Sequence, residues 1–393
     1  MTMKYQKGNM NNLIYITYQS FPASTANSLQ TITNLKYLIK KGLNVKLVFP
    51  LREKNSNENK RSLQNFYELK EEFEIVGTKH YLPFGKIKIF NKLFFLISHF
   101  LWSLFISINI HKYETKPSVF FTRSEWIFYF LSIRKKTIIY ECHQLSKIKK
   151  LLIPKAIKQP ESKIIFLNEN LKNNFNFSST LEKKILVAHN SVDVGLFKTN
   201  IEKIKNSLIF VGNLKRFNKS RNLEFIIKAF QNKKIRTKYN LKIIGGPEEE
   251  ASKLKNIITK ANLEEQIKIT GMLSHSETIK HIEKSEIGIL VNSSDNEHSI
   301  EFTSPLKYFE YLYGQCKVVA VDFPSHQCLP FSNKINFFEE NNIESFINSI
   351  LKCTNKIPID RSSLNKITAE YRTEKIMDLF NPARPEGFEP PTL

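Results

Sequence analysis

TSPLKYFEYLYGQCKVVAVD, residues 303–322, decides how the rest of the chain is read. Ser304 can cap a helix, and Pro305 suits its first position, where a missing N–H costs nothing. Leu306, Phe309 and Leu312 recur at helical spacing and define one apolar face. The first-turn N–H groups of Leu306 and Lys307 sit at the positive end of the helix dipole, where an anion docks. Glu310, one turn further on, brings a carboxylate able to accept from two hydroxyls. Gly314 marks the stop, and KVVAVD reads as a short buried strand. An anion cradle, an acid for a diol and a strand together predict a nucleotide site.

Upstream of this stretch the same grammar repeats. Residues 208–211 read as a strand, then come Gly212, a polar loop carrying Arg216 and Lys219, and a helix through Phe225, Ile226 and Phe230. LKIIGG (241–246), IKITG (267–271) and IGILV (287–291) are further strands, and Pro247 opens a helix between the first two. The loop NSSDNEHSIEFT, which carries Glu297, His298 and Glu301, then leads to Thr303. His275 is read as helping to start the helix that follows it.

The first half alternates in the same way. LIYIT (13–17), the loop YQSFPASTANS, a helix facing inward through Leu29, Ile32, Leu35, Leu38 and Ile39, Gly42, and then VKLVF (45–49) make a βαβ unit, hence a parallel sheet. The loop lacks the glycines of a dinucleotide fingerprint. The polar run 51–72 is assigned to solvent, with an exposed helix around Glu68, Lys70, Glu71 and Glu72. VFFT (119–122), TIIYE (137–141), KIIFL (163–167) and KILVA (184–188) complete the sheet. Ligands of open parallel sheets bind at the carboxyl ends of the strands, so Arg123, Glu141 and His143 are expected to converge on one rim.

Composition narrows the function. The 393 residues suffice for two domains, and the formal net charge is +22, with 59 Lys and Arg against 37 Asp and Glu. No arginine-rich helix interleaved with aromatics and no nucleic-acid motif is present, so nucleic acid is not the expected partner. An anionic membrane surface is the better candidate. Cys142, Cys316, Cys328 and Cys353 stand apart from one another, with no CxxC pair, and predict neither a disulfide framework nor a zinc site; a reducing, cytoplasmic setting fits. Residues 93–110, LFFLISHFLWSLFISINI, carry no formal charge and lie between Lys86, Lys88 and Lys92 on one side and Lys112 on the other. The first reading is a helix buried against the sheet, with His99 a satisfied core histidine. The second is a helix partly dipping into lipid with Trp102 near the boundary, and a spanning helix is disfavoured because strands continue on both sides.

SPLKYFEYL…VVAVD resembles the donor-site signature of retaining glycosyltransferases of the GT-B fold, family 4 type. The resemblance implies that Glu310 holds the ribose of a nucleotide sugar and that the backbone after Ser304, with Leu306 and Lys307, holds its phosphates. Where relatives carry a second glutamate to grip the sugar, this chain has Thr303; where they carry a second glycine and a proline, it has Gln315 and Lys317. Gly212 to Ser220 resembles the family's GxLxxxKG segment, which implies that Arg216 and Lys219 cross the diphosphate. Positive charge there stabilises the departing nucleotide. Met272 and Leu273, by the same resemblance, wall the base. FFTRS and YECH resemble the family's TR…E.H residues, implying an acceptor-side rim of Arg123, Glu141 and His143, the last hydrogen-bonding the sugar or acceptor hydroxyl. Ser24 and Thr25 fall in an acceptor loop, where Ser24 could equally just cap the helix. HNSVD (189–193) is similar to the turn that links the two domains.

The expectation is therefore α/β, two Rossmann-like domains facing across a cleft (GT-B). Residues 1–198 are assigned to the acceptor side, 199–365 to the nucleotide sugar, 366–381 to a closing helix that packs back on the first domain, and 382–393 to a disordered tail. The implied reaction is transfer of a sugar from a nucleotide diphosphate to a hydroxyl of a glycan or lipid-linked acceptor, with retention and without cofactor or metal, no DxD being present. A nucleotide-sugar 2-epimerase of the same layout and a non-catalytic sugar-binding descendant are the alternatives.

Overall fold

A computed structural model of the chain describes residues 11–23, 25–53, 55–80, 91–198, 201–216, 219–354 and 357–380. Ser24, Lys86, Lys88 and the tail 382–393 lie outside the described residues. The chain divides into two units. The first takes residues up to 167, 171–188 and those from 372 onward; the second takes 168–170 and 189–371. The division thus falls at residue 189, ten residues before the expected one. The reason is local: the 189–198 segment is tied to the second unit through Val192 N–H to the Ile367 carbonyl (3.0 Å) and Lys198 N–H to Glu283 Oε1 (2.7 Å). The closing helix runs Ala369–Phe380, and from Arg372 it belongs to the first unit.

The first unit is built on β1 (Asn12–Ile16), β2 (Asn44–Leu51), β3 (Glu74–Lys79), β4 (Val119–Thr122), β5 (Ile138–Cys142), β6 (Ser162–Phe166) and β7 (Ile185–Val187). They are parallel in the order β3-β2-β1-β4-β5-β6-β7. Burial on both faces explains why the inner strands read as unbroken apolar runs. Tyr15, Leu47, Phe49, Phe121 and Ile139 meet Ile32, Leu35 and Leu38 of the helix Ala26–Lys40 and Ile376 of the closing helix in one core. The helix expected around residues 68–72 is displaced. It runs Lys60–Tyr67, ends with Glu68 at φ 54°, and buries Leu63 in that core. A charge run marked its end, while the single apolar anchor marked its body.

The apolar segment forms the helix Asn91–Ile108. Its buried side carries polar groups with partners: Ser98 bonds Tyr18 Oη (2.7 Å), His99 bonds Ser124 Oγ (2.7 Å), and Trp102 donates to Thr78 Oγ1 (2.8 Å). Among the described residues no helix is long and apolar enough to cross a membrane.

The second unit holds β8 (Ile204–Val211), a hairpin of β9 (Lys215–Arg216) and β10 (Lys219–Ser220), then β11 (Asn240–Ile244), β12 (Ile267–Gly271), β13 (Ser285–Leu290), β14 (Lys317–Val321) and β15 (Asn336–Phe338). The parallel sheet runs β12-β11-β8-β13-β14-β15. One apolar cluster gathers Phe210, Phe225, Ile243, Val319 and Phe346; the other gathers Tyr308, Phe309, Tyr311, Ile209 and Val318.

Candidate functional site

The helix that follows β13 runs Leu306–Tyr313. Pro305, not Ser304, is its cap, and no side chain of the cap residue bonds the first turn. Ser304 is diverted instead: its Oγ accepts from Asn190 N–H (3.0 Å), and Asn190 Nδ2 donates to the Ser304 carbonyl (2.6 Å). The predicted cap thus fastens the 189–193 turn to the helix start, which still presents the N–H groups of Leu306 and Lys307 at the positive pole. Thr303 donates to the His298 carbonyl (2.9 Å) and closes a wide turn over His298–Phe302. In that loop Glu301 is engaged by Asn170 Nδ2 (3.3 Å).

Glu310 is 2% exposed, and both its oxygens have cationic or imidazole partners: Lys307 Nζ at 2.6 Å and His275 Nε2 at 2.9 Å. Burial alone would raise its pKa; Lys307 and His275 outweigh that and hold it near 2. Each carboxylate oxygen retains a second lone pair for a hydroxyl. The partnership with His275 was not read from the sequence. A helix-start histidine 35 residues upstream gives no local signal, although the capping box of Ser274 and Glu277 that sets its position is legible.

Arg216 and Lys219 occupy directly opposed positions of the β9–β10 hairpin. Gly212 ends the strand before it, and its carbonyl lies where a Cβ on Gly245 would be, 1.8 Å away, so that only glycine at 245 lets the two loops meet. Met272 stands 59% exposed after β12, and Leu273 packs on the second apolar cluster. A Cβ on Gly246 would fall 2.9 Å from Met272 Cγ, so the bare backbone there makes room for the methionine.

In the first unit, Arg123, Glu141 and His143 come together at the ends of β4 and β5. Glu141 is fully buried, with Arg123 Nε at 2.9 Å, Arg372 Nη2 at 2.5 Å, Asn34 Nδ2 at 3.4 Å and His143 Nε2 at 3.3 Å. Burial opposes its ionisation, but Arg123, Arg372 and His143 together hold its pKa well below the ordinary carboxylate range. Glu141 is therefore the centre of an ion cluster. Burial, with the two arginines, lowers His143 to about 4, so the ring is neutral at pH 7 and able to give or take one hydrogen bond. Thr25 caps the helix Ala26–Lys40, its Oγ1 accepting from Ser28 N–H at 3.2 Å.

Residues 196–366 match the family model of glycosyl transferases group 1. No curated protein sequence matches the chain. Among solved structures, the glycosyltransferase of Rickettsia africae ESF-5 superposes with a TM-score of 0.67 at 13% identity, covering 95% of this chain and 99% of that one. Anabaena HepE in complex with UDP gives 0.64 at 10% identity over 94% and 100%. Sucrose-phosphate synthase from Thermosynechococcus elongatus gives 0.62 at 11% over 94% and 95%. The chain thus has the two-sheet GT-B architecture of these structures, and its second half carries a glycosyl transferases group 1 domain.

Proposed function

We propose that the protein moves a sugar, with retention of configuration, from a nucleotide-diphosphate sugar to a hydroxyl of a glycan or lipid-linked acceptor in cell-surface polysaccharide synthesis. Glu310 carries the donor half of this reading. A carboxylate held ionised under Lys307 and His275, one turn inside a helix start, suits the ribose diol, and the first-turn N–H groups suit the phosphates. Anabaena HepE, solved with UDP and with UDP-glucose on the same fold, supports a nucleotide-sugar partner. As the anomeric carbon leaves the diphosphate oxygen, the acceptor oxygen bonds it on the same face, and the acceptor proton passes to the departing phosphate. Arg216 and Lys219, paired across the hairpin, neutralise the charge that builds there, the task a metal performs elsewhere, so turnover should survive EDTA. Met272 and Leu273 pack the base, and neutral His143, together with Arg123 and Thr25, serves the acceptor side.

The test is incubation with UDP-, GDP- and ADP-sugars and a panel of glycan and lipid-linked acceptors. Transfer from one donor supports the reading. Nucleotide release without a glycosylated product, as an epimerase would give, or binding without turnover, overturns it.

We also propose that the first unit works against the cytoplasmic face of an anionic bilayer. The outward side of the helix Asn91–Ile108 carries Leu93, Ile97, Leu101, Phe105 and Ile108, each between 42% and 54% exposed at successive helical turns. Between residues 91 and 158 the chain has twelve Lys or Arg and three acids, Glu114, Glu125 and Glu141. Glu125 and Glu141 are buried and Glu114 pairs with Lys136, so the described surface of that segment offers cations and hydrocarbon together. Flotation with phosphatidylserine liposomes at low and high salt decides; absence of binding at low salt ends the proposal.

A further inference from the structure

In the second sheet the order runs both ways from β8, to β11 and β12 on one side and to β13, β14 and β15 on the other. Segments leaving the carboxyl ends of β8 and β13 therefore diverge, and open parallel sheets receive ligands in the crevice so formed. A side-chain hydrogen bond bridges it here. Arg221, just after the hairpin, donates from Nη2 to Asn292 Oδ1 at 2.7 Å, and Asn292 lies two residues beyond the end of β13. The guanidinium lies 5.9 Å from the centroid of the Phe210 ring, and its Nη1 is 2.7 Å from where a Cβ on Gly212 would be. Its backbone is fixed as well: Arg221 N–H donates to the Leu214 carbonyl (3.0 Å), and Leu214 N–H to that of Gly246 (2.8 Å).

A relay behind Asn292 sets the direction of that bond. His326, fully buried in the short helix Pro324–Gln327, has Nδ1 at 2.8 Å from the Val321 carbonyl. A carbonyl only accepts, so Nδ1 carries the proton and Nε2 is left as an acceptor. Asn292 Nδ2 lies 3.4 Å from that Nε2 and donates to it, which turns the amide oxygen toward Arg221. Donors and acceptors thus run one way from Arg221 through Asn292 and His326 to the end of β14. Buried polar side chains are costly in a sheet that could be filled with hydrocarbon, and a fully directed chain of them serves to hold one group in one orientation.

We propose that Arg221 is the fixed cation that meets the diphosphate of the nucleotide sugar in this crevice, with Asn292 and His326 as positioning residues that aim it. This rests on the donor reading above and adds to it. Arg216 and Lys219 lie on a two-residue hairpin, whereas Arg221 is anchored across the strand reversal itself. A guanidinium presents its N–H donors as a planar fork that matches phosphate oxygens, so a fixed Arg221 suits a diphosphate.

The experiment is calorimetric titration of the full chain with UDP, GDP and ADP and with the three nucleosides. For the base that binds, the quantity of interest is the gain in affinity of diphosphate over nucleoside. Arg221→Ala should cut that gain by about 10- to 100-fold while leaving nucleoside affinity unchanged, with Arg221→Lys intermediate. Asn292→Asp is nearly isosteric but sets a carboxylate against Arg221, so it should lose at least as much of the gain as Asn292→Ala. A residue with a merely structural role would rank those two the other way. If Arg221→Ala does not fold, as judged by circular dichroism, Arg221→Gln carries the same comparison. A full diphosphate gain in the folded Arg221 variant, or wild-type behaviour of Asn292→Asp, overturns the proposal. Failure of the wild type to bind any of the three diphosphates would instead remove the donor reading.

Discussion

The carboxylate of Glu310 is useful as an acceptor only while ionised, and its neighbours secure that at every pH the cell meets. Its folded pKa of about 2 lies below the unfolded value near 4.3, so its contribution to stability is complete above that unfolded value and is lost as pH falls toward 2. Glu310→Gln should weaken donor binding by about tenfold or more and flatten stability between pH 4 and 2, measured by titration calorimetry and by urea melts across that range. The histidines act at milder pH. Burial, chiefly, lowers both His99 and His143 to about 4, whereas an unfolded imidazole titrates near 6.5. Between those values the unfolded chain takes up protons that the folded chain refuses. Stability is therefore greatest above about pH 6.5 and declines as pH falls toward 4, by up to about 3 kcal/mol per ring at the acid end. His99→Gln, which can still hydrogen-bond Ser124, should remove one share of that slope; an unchanged thermal midpoint profile from pH 7 to 4 would count against the assignment. At this scale the sequence displayed Glu310 because acid and helix start are neighbours in the chain. His275, Arg372 and the Arg221 relay were hidden, because each pairing joins residues tens to hundreds of positions apart.

Elements were legible where burial on both faces makes a strand an unbroken apolar run, as with VFFT at β4, whose bounds match the expectation residue for residue. They were not legible at β3, EIVGTK on a sheet edge, nor at β15 with three residues or the hairpin strands with two. A short or edge strand buries too little to force a pattern on its residues. The helix Asn91–Ile108 buries bonded hydroxyls and an imidazole alongside Trp102 and Ile106, and turns further hydrocarbon outward. Facing water, that outer side gains nothing from Leu101 and Phe105. Leu101→Glu with Phe105→Glu should accordingly leave the thermal midpoint nearly unchanged and abolish liposome flotation. Loss of fold with flotation intact would show that the face is packed, not presented. The end of the helix Leu306–Tyr313 makes a separate point. The left-handed position there belongs to Gln315 at φ 59°, one residue past Gly314. That is where the family resemblance places a glycine, and Gln315→Gly should stabilise the second unit by about 0.5–1 kcal/mol in denaturant melts, by relieving a Cβ that this conformation disfavours.

For the molecule as a whole, the α/β class and the division into two sheets could be read from the alternation of apolar runs, but the unit boundaries could not. They depend on which sheet each connecting segment is bonded to, and the 189–198 segment and the closing helix both settle that through long-range partners. The first unit is completed by the end of the chain: Arg372 reaches Glu141 Oε1 and Asn34 Oδ1 (3.0 Å), Lys41 pairs with Glu374 (2.7 Å), and Ile376 enters the core. Glu141 thus balances two buried guanidiniums, one from β4's end and one from a residue 231 positions later. Removing Arg372 leaves Glu141 to Arg123 alone and strips Glu141 Oε1 and Asn34 Oδ1 of a donor that water cannot replace in so buried a site. Arg372→Ala should therefore destabilise the first unit by about 3–5 kcal/mol and leave the second untouched. Hydrogen–deuterium exchange on the full chain separates the two: protection should fall in β1, β4 and β5 and persist in β8, β11 and β13. Donor binding, which the proposed function assigns to the second unit, should persist while transfer to the acceptor falls. Equal loss of protection in both sheets would mean that the chain's last helix stabilises the protein as one cooperative body instead of closing the first unit alone.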